Sequence, residues 1–431
     1  MENSRRSFLQ QFGALSVSPL AFSSLSTSDW NQTRSFLENQ KHRSDRDIVR
    51  DETYWKEVAK AYHVSEDFIN LENGFYSLAA WPVLEAQWQH IQRVNEMPSY
   101  YMRNYQWDER NEVTAALAEF AGCSVEEMVV CRNTTEALDT VILGLDLDPG
   151  DEAIMCNHDY GSMRAAFNQR ARRDKIVNKV ISLPLHPKSD EEIVAAHEKA
   201  ITPRTKVIHV SHLVNITGQV LPVRKICDMA HSHGVEVICD SAHALGHLDF
   251  KIRDLDCDYW GTSLHKWIGA PLGSGILFVK KEKISKVWPL LGDDGFADDD
   301  IRKFRHFGTL PVTGHVSIMD ALKFQDTIGI TNKQARLLYL KQYWTEKVKE
   351  TPGIIINTPW EEERSSGIAN VGVANLKPRE LADRLMDEYK IFTVAIDNEA
   401  VKGIRVTPHL YTSLDELDQF VEALNKLNDK G

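Results

Sequence analysis

Lys266 sits in GTSLHKWIGAPLGSG, residues 261–275, where the other side chains are apolar, small or hydroxylated apart from His265. Burial without a partner penalises an ammonium, lowers its pKa and leaves a neutral, nucleophilic amine. That is what Schiff-base chemistry asks of a lysine. Taken alone, the residue also fits a lysine whose stem packs on apolar neighbours while its head reaches water, so the surrounding motifs carry the decision. Asp240 closes the strand-like run VEVICD, 26 residues before Lys266, and Ser241, Ala242 and His243 follow it. An acid at a strand's carboxyl end lies at the mouth of the crevice where open α/β sheets hold ligands, and the next strand-turn would deliver Lys266 there. A carboxylate at that point can keep a pyridine-type ring nitrogen protonated, so that the ring withdraws electrons from a substrate carbanion. Ala242 is small enough to lie flat under such a ring, and His243 can reach its hydroxyl.

A second piece is CRNTTEALDTVI, where a strand ends and a helix begins at Asn133, Thr134 and Thr135. Free N–H groups and two hydroxyls at a helix start suit a phosphate; the same residues also spell an ordinary capping box. Ser263 and His265, just ahead of the lysine, add two further donors.

The elements that must position these residues alternate along residues 110–280. Strand candidates EEMVVCR, EAIMC, KVISL, KVIHVSH, VEVICD and GILFV are separated by helical stretches such as TTEALDTVILGL and VRKICDMAHSHG. The alternation predicts an α/β domain with a mostly parallel sheet covered by helices on both faces. From 313 to 350 the pattern predicts one long amphipathic helix. Beyond it, PRELADRLMDEYK, IFTVAI, GIRVTPH and SLDELDQFVEALNKLN predict helix, strand, strand and helix of a smaller α+β domain.

A formal charge of -12 argues against nucleic-acid or anionic-membrane partners, which need a basic face. No apolar run approaches the roughly 20 residues of a transmembrane helix. The six cysteines, Cys123, Cys131, Cys156, Cys227, Cys239 and Cys257, show no C-x-x-C and no metal-ligand spacing, and they read as buried thiols, with no metal site. The first residues, MENSRRSFLQQFGALSVSPLAFSSLS, combine Arg5, Arg6, Phe8 and Leu9 with a mildly apolar run and small residues. This resembles a twin-arginine export signal, which predicts a periplasmic protein; a cytoplasmic one is the alternative.

The ordered set of anion-binding helix start, strand-ending aspartate and lysine after Ser-x-His resembles the class V aminotransferase family of fold-type I pyridoxal-phosphate enzymes, and within it the members related to isopenicillin N epimerase. The resemblance runs from LENGFYSLAAWPV at 71 to IRVTPHLYTS at 404–413. With the signal-like pattern set apart at 1–26, it implies an N-terminal segment at 27–72, a large cofactor domain at 73–312 and a small domain at 313–431. It implies that Lys266 holds pyridoxal 5'-phosphate covalently, that Asp240 pairs with its ring nitrogen, and that Thr134, Thr135, Ser263 and His265 bind its phosphate. Asn215 in SHLVNITG and His243 fall near the ring hydroxyl. His158 in NHDYG matches the ring-stacking position, with Tyr160 as an alternative occupant or acid. Arg405, with Asn73, would receive the substrate carboxylate. Thr309, in FGT at 307–309, falls in the segment through which a neighbouring subunit reaches the phosphate, which implies a homodimer.

Such a cofactor stabilises a carbanion whichever bond to Cα is broken, so the reaction is set by other groups. Cysteine desulfurases need a nucleophilic cysteine far beyond the lysine, and none follows Cys257. The reading for this chain is therefore an epimerase or racemase acting on an amino-acid-type substrate. A cysteine-independent C–S lyase or aminotransferase is the alternative, and a non-catalytic exported binding protein on the same scaffold a further one. An epimerase needs an acid–base group opposite Lys266, for which Tyr160 and His306 are candidates. The aromatic stretch PSYYMRNYQWDER at 98–110 fits a bulky-substrate pocket or a packed subunit contact.

Overall fold

A computed structural model describes residues 27–40 and 45–430; the signal-like pattern at 1–26 lies outside the described residues. Its first strand, β1 (Ile69–Asn70), precedes the large sheet. That sheet consists of β2 (Met128–Cys131), β3 (Glu152–Cys156), β4 (Val177–Ile181), β5 (Thr205–Ser211), β6 (Glu236–Asp240), β7 (Tyr259–Ser263) and β8 (Gly275–Val279). Their order across the sheet is β2-β8-β7-β6-β5-β3-β4. β8 runs antiparallel to both its neighbours, and the remaining adjacent pairs are parallel.

The strands β2, β3, β7 and β8 are buried at every residue, because helices cover both faces, and their sequences are accordingly continuous apolar runs. Alternate residues enter two different cores. Val130, Ile154, Ile208, Val237 and Trp260 pack on one side with the helices Gln106–Ala121, Val223–Ser232 and Ile318–Ile328. Val129, Ala153, Val207, Ile238 and Tyr259 pack on the other with the helices Thr134–Gly144 and Gly161–Asp174. The period of two that distributes them is the pleat itself. Register then lines up the chemistry: Ser211 pairs with Asp240, and Asp240 with Gly261, across β5, β6 and β7.

The expected strands are present, but the list from sequence omits β7, whose YWGTS is short and half polar. The predicted single helix over 313–350 is three helices, Val312–Val316, Ile318–Ile328 and Ile330–Val348. The last break falls at Gly329, whose φ of 83° is left-handed and ends the preceding helix. IFTVAI divides into β11 (Ile391–Phe392) and β12 (Val394–Asp397), and two strands absent from the prediction, β9 (Ile354–Ile356) and β10 (Ala369–Val373), join β12 and β13 (Lys402–Val406). Together β12-β13-β10-β9 form an antiparallel sheet. It packs through Val371 and Ile404 on Leu385 and Phe420 of the helices Pro378–Tyr389 and Leu414–Lys430, and on Trp344.

Upstream of the large sheet, Tyr54, Trp55 and Val58 of helix Glu52–Ala59 are buried in the large core. The chain then crosses to the C-terminal part: β1 pairs in parallel with β11 as a separate two-stranded sheet, and Glu72 bridges to Thr407 just past β13.

Candidate active site

A cavity of about 790 Å³ opens at the carboxyl ends of the large sheet's strands. Its wall at the end of β2 is the start of helix Thr134–Gly144. Asn133 caps that helix by accepting from the Glu136 N–H at 2.9 Å. Thr134 is tied to β7: its N–H donates to Ser263 Oγ at 3.0 Å, and the two hydroxyls lie 2.7 Å apart. The helix start can approach so closely because residue 275 is glycine; a Cβ there would stand 2.7 Å from Asn133 Cα. Thr135 and His265 line the same wall. His265 is held neutral at neutral pH, its pKa pushed down to about 4 by burial and by Lys266. Two hydroxyls, first-turn N–H groups and an imidazole thus converge where a phosphate would sit.

Lys266 follows β7 by three residues and lines the cavity. Desolvation, reinforced by Arg405 and opposed by Asp240 and Glu72, lowers its pKa to about 8. Its Nζ lies 3.2 Å from His243 Nε2. The indole N–H of Trp267 donates to His243 Nδ1 at 3.4 Å. Burial holds His243 neutral, so accepting at Nδ1 leaves the imidazole proton on Nε2, facing the lysine. An unprotonated amine can accept it. His243 therefore contacts the lysine directly.

Asp240, 6% exposed, accepts from the Ala242 N–H at 2.9 Å. Burial raises its pKa and His209 opposes that rise. His209 is wholly buried, with Nδ1 2.9 Å from Asp159 Oδ2, and the pairing raises its own pKa. Asp159 is held on its other oxygen by the Ser211 hydroxyl at 2.8 Å. His209 on β5 thus interacts with both carboxylates, and its charge opposes the rise that burial imposes on Asp240.

Of the residues expected from sequence, Thr134, Thr135, Tyr160, Asn215, Asp240, His243, Ser263, His265 and Lys266 all line this cavity. His158 is 2% exposed and does not line it; Tyr160 does. Asn73 is also not brought to the cavity. Its amide donates to the Thr407 carbonyl at 2.8 Å and accepts from the Tyr411 hydroxyl at 2.5 Å, so it fastens the crossing strand. Thr309 is exposed, and His306, half-exposed, lies 3.8 Å from Asp293.

Arg405, 1% exposed, is gripped in two-point fashion by Glu72: Nε donates to Oε2 at 2.9 Å, and NH2 pairs with Oε1. Its NH1 reaches the Asn215 carbonyl at 3.3 Å. Glu72 stands beside Asn73 in the quoted LENGF, yet its partner is more than three hundred residues away in the chain, and no spacing announces it. Phe75 was also passed over. Its ring centroid lies 6.0 Å from Lys266 Nζ, 5.0 Å from Arg405 Cζ and 6.4 Å from the Tyr160 ring. The same holds for Asp139, which lines the cavity with a carboxyl pushed up to about 6 by burial. Its place four residues after Thr135 on one helix face is the signal that could have found it.

An anion cradle, a deep carboxylate and a low-pKa amine on adjacent strand ends fit pyridoxal phosphate. The comparisons agree. The profile of the aminotransferase class-V family matches residues 83–420. Over 329 residues the chain is 26% identical to the isopenicillin N epimerase of Streptomyces clavuligerus, covering 72% of this chain and 83% of that protein. It is 28% identical over 334 residues to the cysteine desulfurase of Haloferax volcanii, covering 72% of this chain and 76% of that one. Among solved structures, the apo cysteine desulfurase of Thermococcus onnurineus NA1 superposes with a TM-score of 0.75 at 22% identity, over 87% of this chain and 98% of that one. The cystine C–S lyase C-DES, in complex with cysteine persulfide, does so with a TM-score of 0.75 at 21% identity, over 84% and 98%. The chain belongs to the class V aminotransferase family, has the fold-type I architecture and is an enzyme that uses pyridoxal phosphate.

Proposed function

From that membership we propose that the protein inverts Cα of an amino-acid-type substrate, as an epimerase or racemase. One observation carries the reading: the described residues lining the cavity include Lys266 and Tyr160, an amine and a hydroxyl able to carry a proton, and no cysteine. When bound, pyridoxal phosphate supplies a sink for the electron pair left at Cα. The rest falls to the chain. Thr134, Thr135, Ser263 and His265 hold the phosphate, and Asp240, whose upward shift His209 opposes, holds a proton on the ring nitrogen. Lys266 Nζ takes or returns the Cα proton on one face, with the Nε2–H of His243 steadying its lone pair. The Tyr160 hydroxyl serves the other face. A general base works best with a pKa near the working pH, and about 8 for Lys266 meets that condition.

The Arg405 guanidinium is the group for the substrate carboxylate, since its fork suits two-point recognition. The incoming carboxylate would exchange with Glu72, which holds that fork.

The test is incubation of the cofactor-loaded enzyme with a panel of L- and D-amino acids in deuterated water, resolving chiral, keto-acid and sulfide products. Inverted, Cα-deuterated amino acid supports the reading. Keto acid or sulfide as the main product would replace it with transamination or C–S cleavage. We further propose export through the twin-arginine route. Arg5→Lys with Arg6→Lys keeps the charge but removes the guanidinium pair, and it should strand folded protein in the cytoplasm; unchanged fractionation would end that proposal.

A further inference from the structure

A second cavity, of about 590 Å³, opens along the edge strand β2. It shares no lining residue with the cavity around Lys266. Arg110, Arg305 and His315 converge on it, walled by Trp107, Met128 and Val130. Arg110 is 7% and His315 9% exposed. Arg110 Nε, Arg305 Nε and His315 Nε2 are buried nitrogens without a hydrogen-bond partner, and among the described residues neither guanidinium has an ion pair. Both guanidinium groups lie against one indole, each Cζ 4.5 Å from the Trp107 ring centroid.

Asp300 and Asp293 act on Arg305 through charge alone, with no ion pair, and the acids around the cluster are engaged elsewhere or exposed. Asp300 is engaged by Arg302, whose Nε lies 3.0 and 2.9 Å from its two oxygens. Glu126 is paired with Lys281, and Asp299 is exposed to solvent. The cost shows in the cations themselves. Burial, with Arg305 adding to it, pushes Arg110 down to about 10, and burial with Arg110 pushes His315 down to about 3. Two guanidinium groups against one indole, Arg110 buried and neither in an ion pair, are unfavourable neighbours, and an anion placed between them would relieve the arrangement.

We propose that this cavity binds a small oxyanion-bearing ligand, its carboxylate or phosphate group received by Arg110 and Arg305. The planar forks of the two guanidinium groups offer paired donors to such a group. His315, neutral, adds an N–H, and Trp107, Met128 and Val130 form an apolar wall for the ligand's body.

The test is calorimetric titration of the cofactor-loaded enzyme, in chloride-free buffer, with inorganic phosphate and in a second series with succinate. The cofactor fills the phosphate cradle at Thr134, so saturable phosphate heat reports another site; succinate can also be received at Arg405, so the carboxylate series counts for this cavity only where the Arg110 and Arg305 variants weaken it. Wild type should bind at least one of the two, and which one it binds assigns phosphate or carboxylate chemistry. Arg110→Gln and Arg305→Gln should each weaken binding at least about tenfold, the scale of losing a charge-assisted hydrogen bond. Arg305 is the less buried of the pair, so its variant keeps the test valid if Arg110→Gln fails to fold. Saturable binding of neither anion overturns the proposal. So does unchanged affinity in folded variants, including the case in which they alter only association between copies of the chain.

Discussion

Lys266 and Lys333 are both lysines whose pKa is driven down by burial, to about 8 and about 7. The more perturbed of the two is not the one that lines the cavity. Lys333 has no exposed surface; it donates to the Trp267 carbonyl and, at 2.9 Å, to Gln325 Oε1. Gln325 in turn donates to the Ile268 carbonyl at 2.9 Å, and the Ser77 hydroxyl to the carbonyl of Lys266. Lys333 thus helps hold the turn from which Lys266 projects. Lys266 instead faces a cavity and a neutral imidazole. A perturbed pKa reports desolvation, and only an open cavity with partners for a substrate turns desolvation into chemistry.

The contrast is tested hardest by Lys266→Ala. Cα-deuterium exchange should fall on the order of 10⁴-fold, the upper end of what a positioned acid–base group supplies, while circular dichroism stays as in wild type. Retained exchange would remove Lys266 from the mechanism. Asp240→Ala comes next, with a loss of about a hundredfold, or about 2.7 kcal/mol of barrier, because the ring nitrogen loses the charge that keeps it protonated.

Lys333→Met should do the reverse of Lys266→Ala. Leaving the Trp267 carbonyl and Gln325 without their donor should lower stability by about 1–3 kcal/mol, with exchange kept within about tenfold of wild type. A rate collapse equal to that of Lys266→Ala would erase the distinction drawn between the two lysines.

The smallest effect is a slope. The folded pKa of Lys333 lies below the unfolded value of about 10.4. Between about pH 7 and about pH 10.4 the unfolded chain therefore binds the extra proton, and stability rises with pH. Denaturant midpoints of Lys333→Met should rise less steeply over that window, by about 1 kcal/mol per pH unit. Parallel curves for the two proteins would show that Lys333 is charged in the fold.

The cofactor cradle was legible because its members lie in short, ordered motifs. Asn133 to Thr135 open a helix, Asp240 ends a strand, and Ser263, His265 and Lys266 lie within four residues. In a parallel sheet, strand ends meet by construction, so the local patterns sufficed. Other parts were not legible. β7 has too few apolar residues to declare itself as a strand. Arg405 could be named from GIRVTPH, but it is not among the residues lining the cavity, and its capture by Glu72 has no signal in the spacing, since the two meet where β1 pairs with β11 and Glu72 bridges to Thr407.

Six of the seven strands of the large sheet, the place of Lys266 after Ser-x-His, and the lack of a cysteine beyond Cys257 were settled by sequence alone, because each depends on neighbours within a few residues or on composition. Which lysine faces a cavity, whether His158 or Tyr160 reaches it, which carboxylate holds Arg405, and where Arg110 meets Arg305 were decided by tertiary structure. Those outcomes depend on desolvation and on distances between residues remote in the chain, and both exist only once the two sheets and the segment between them have packed.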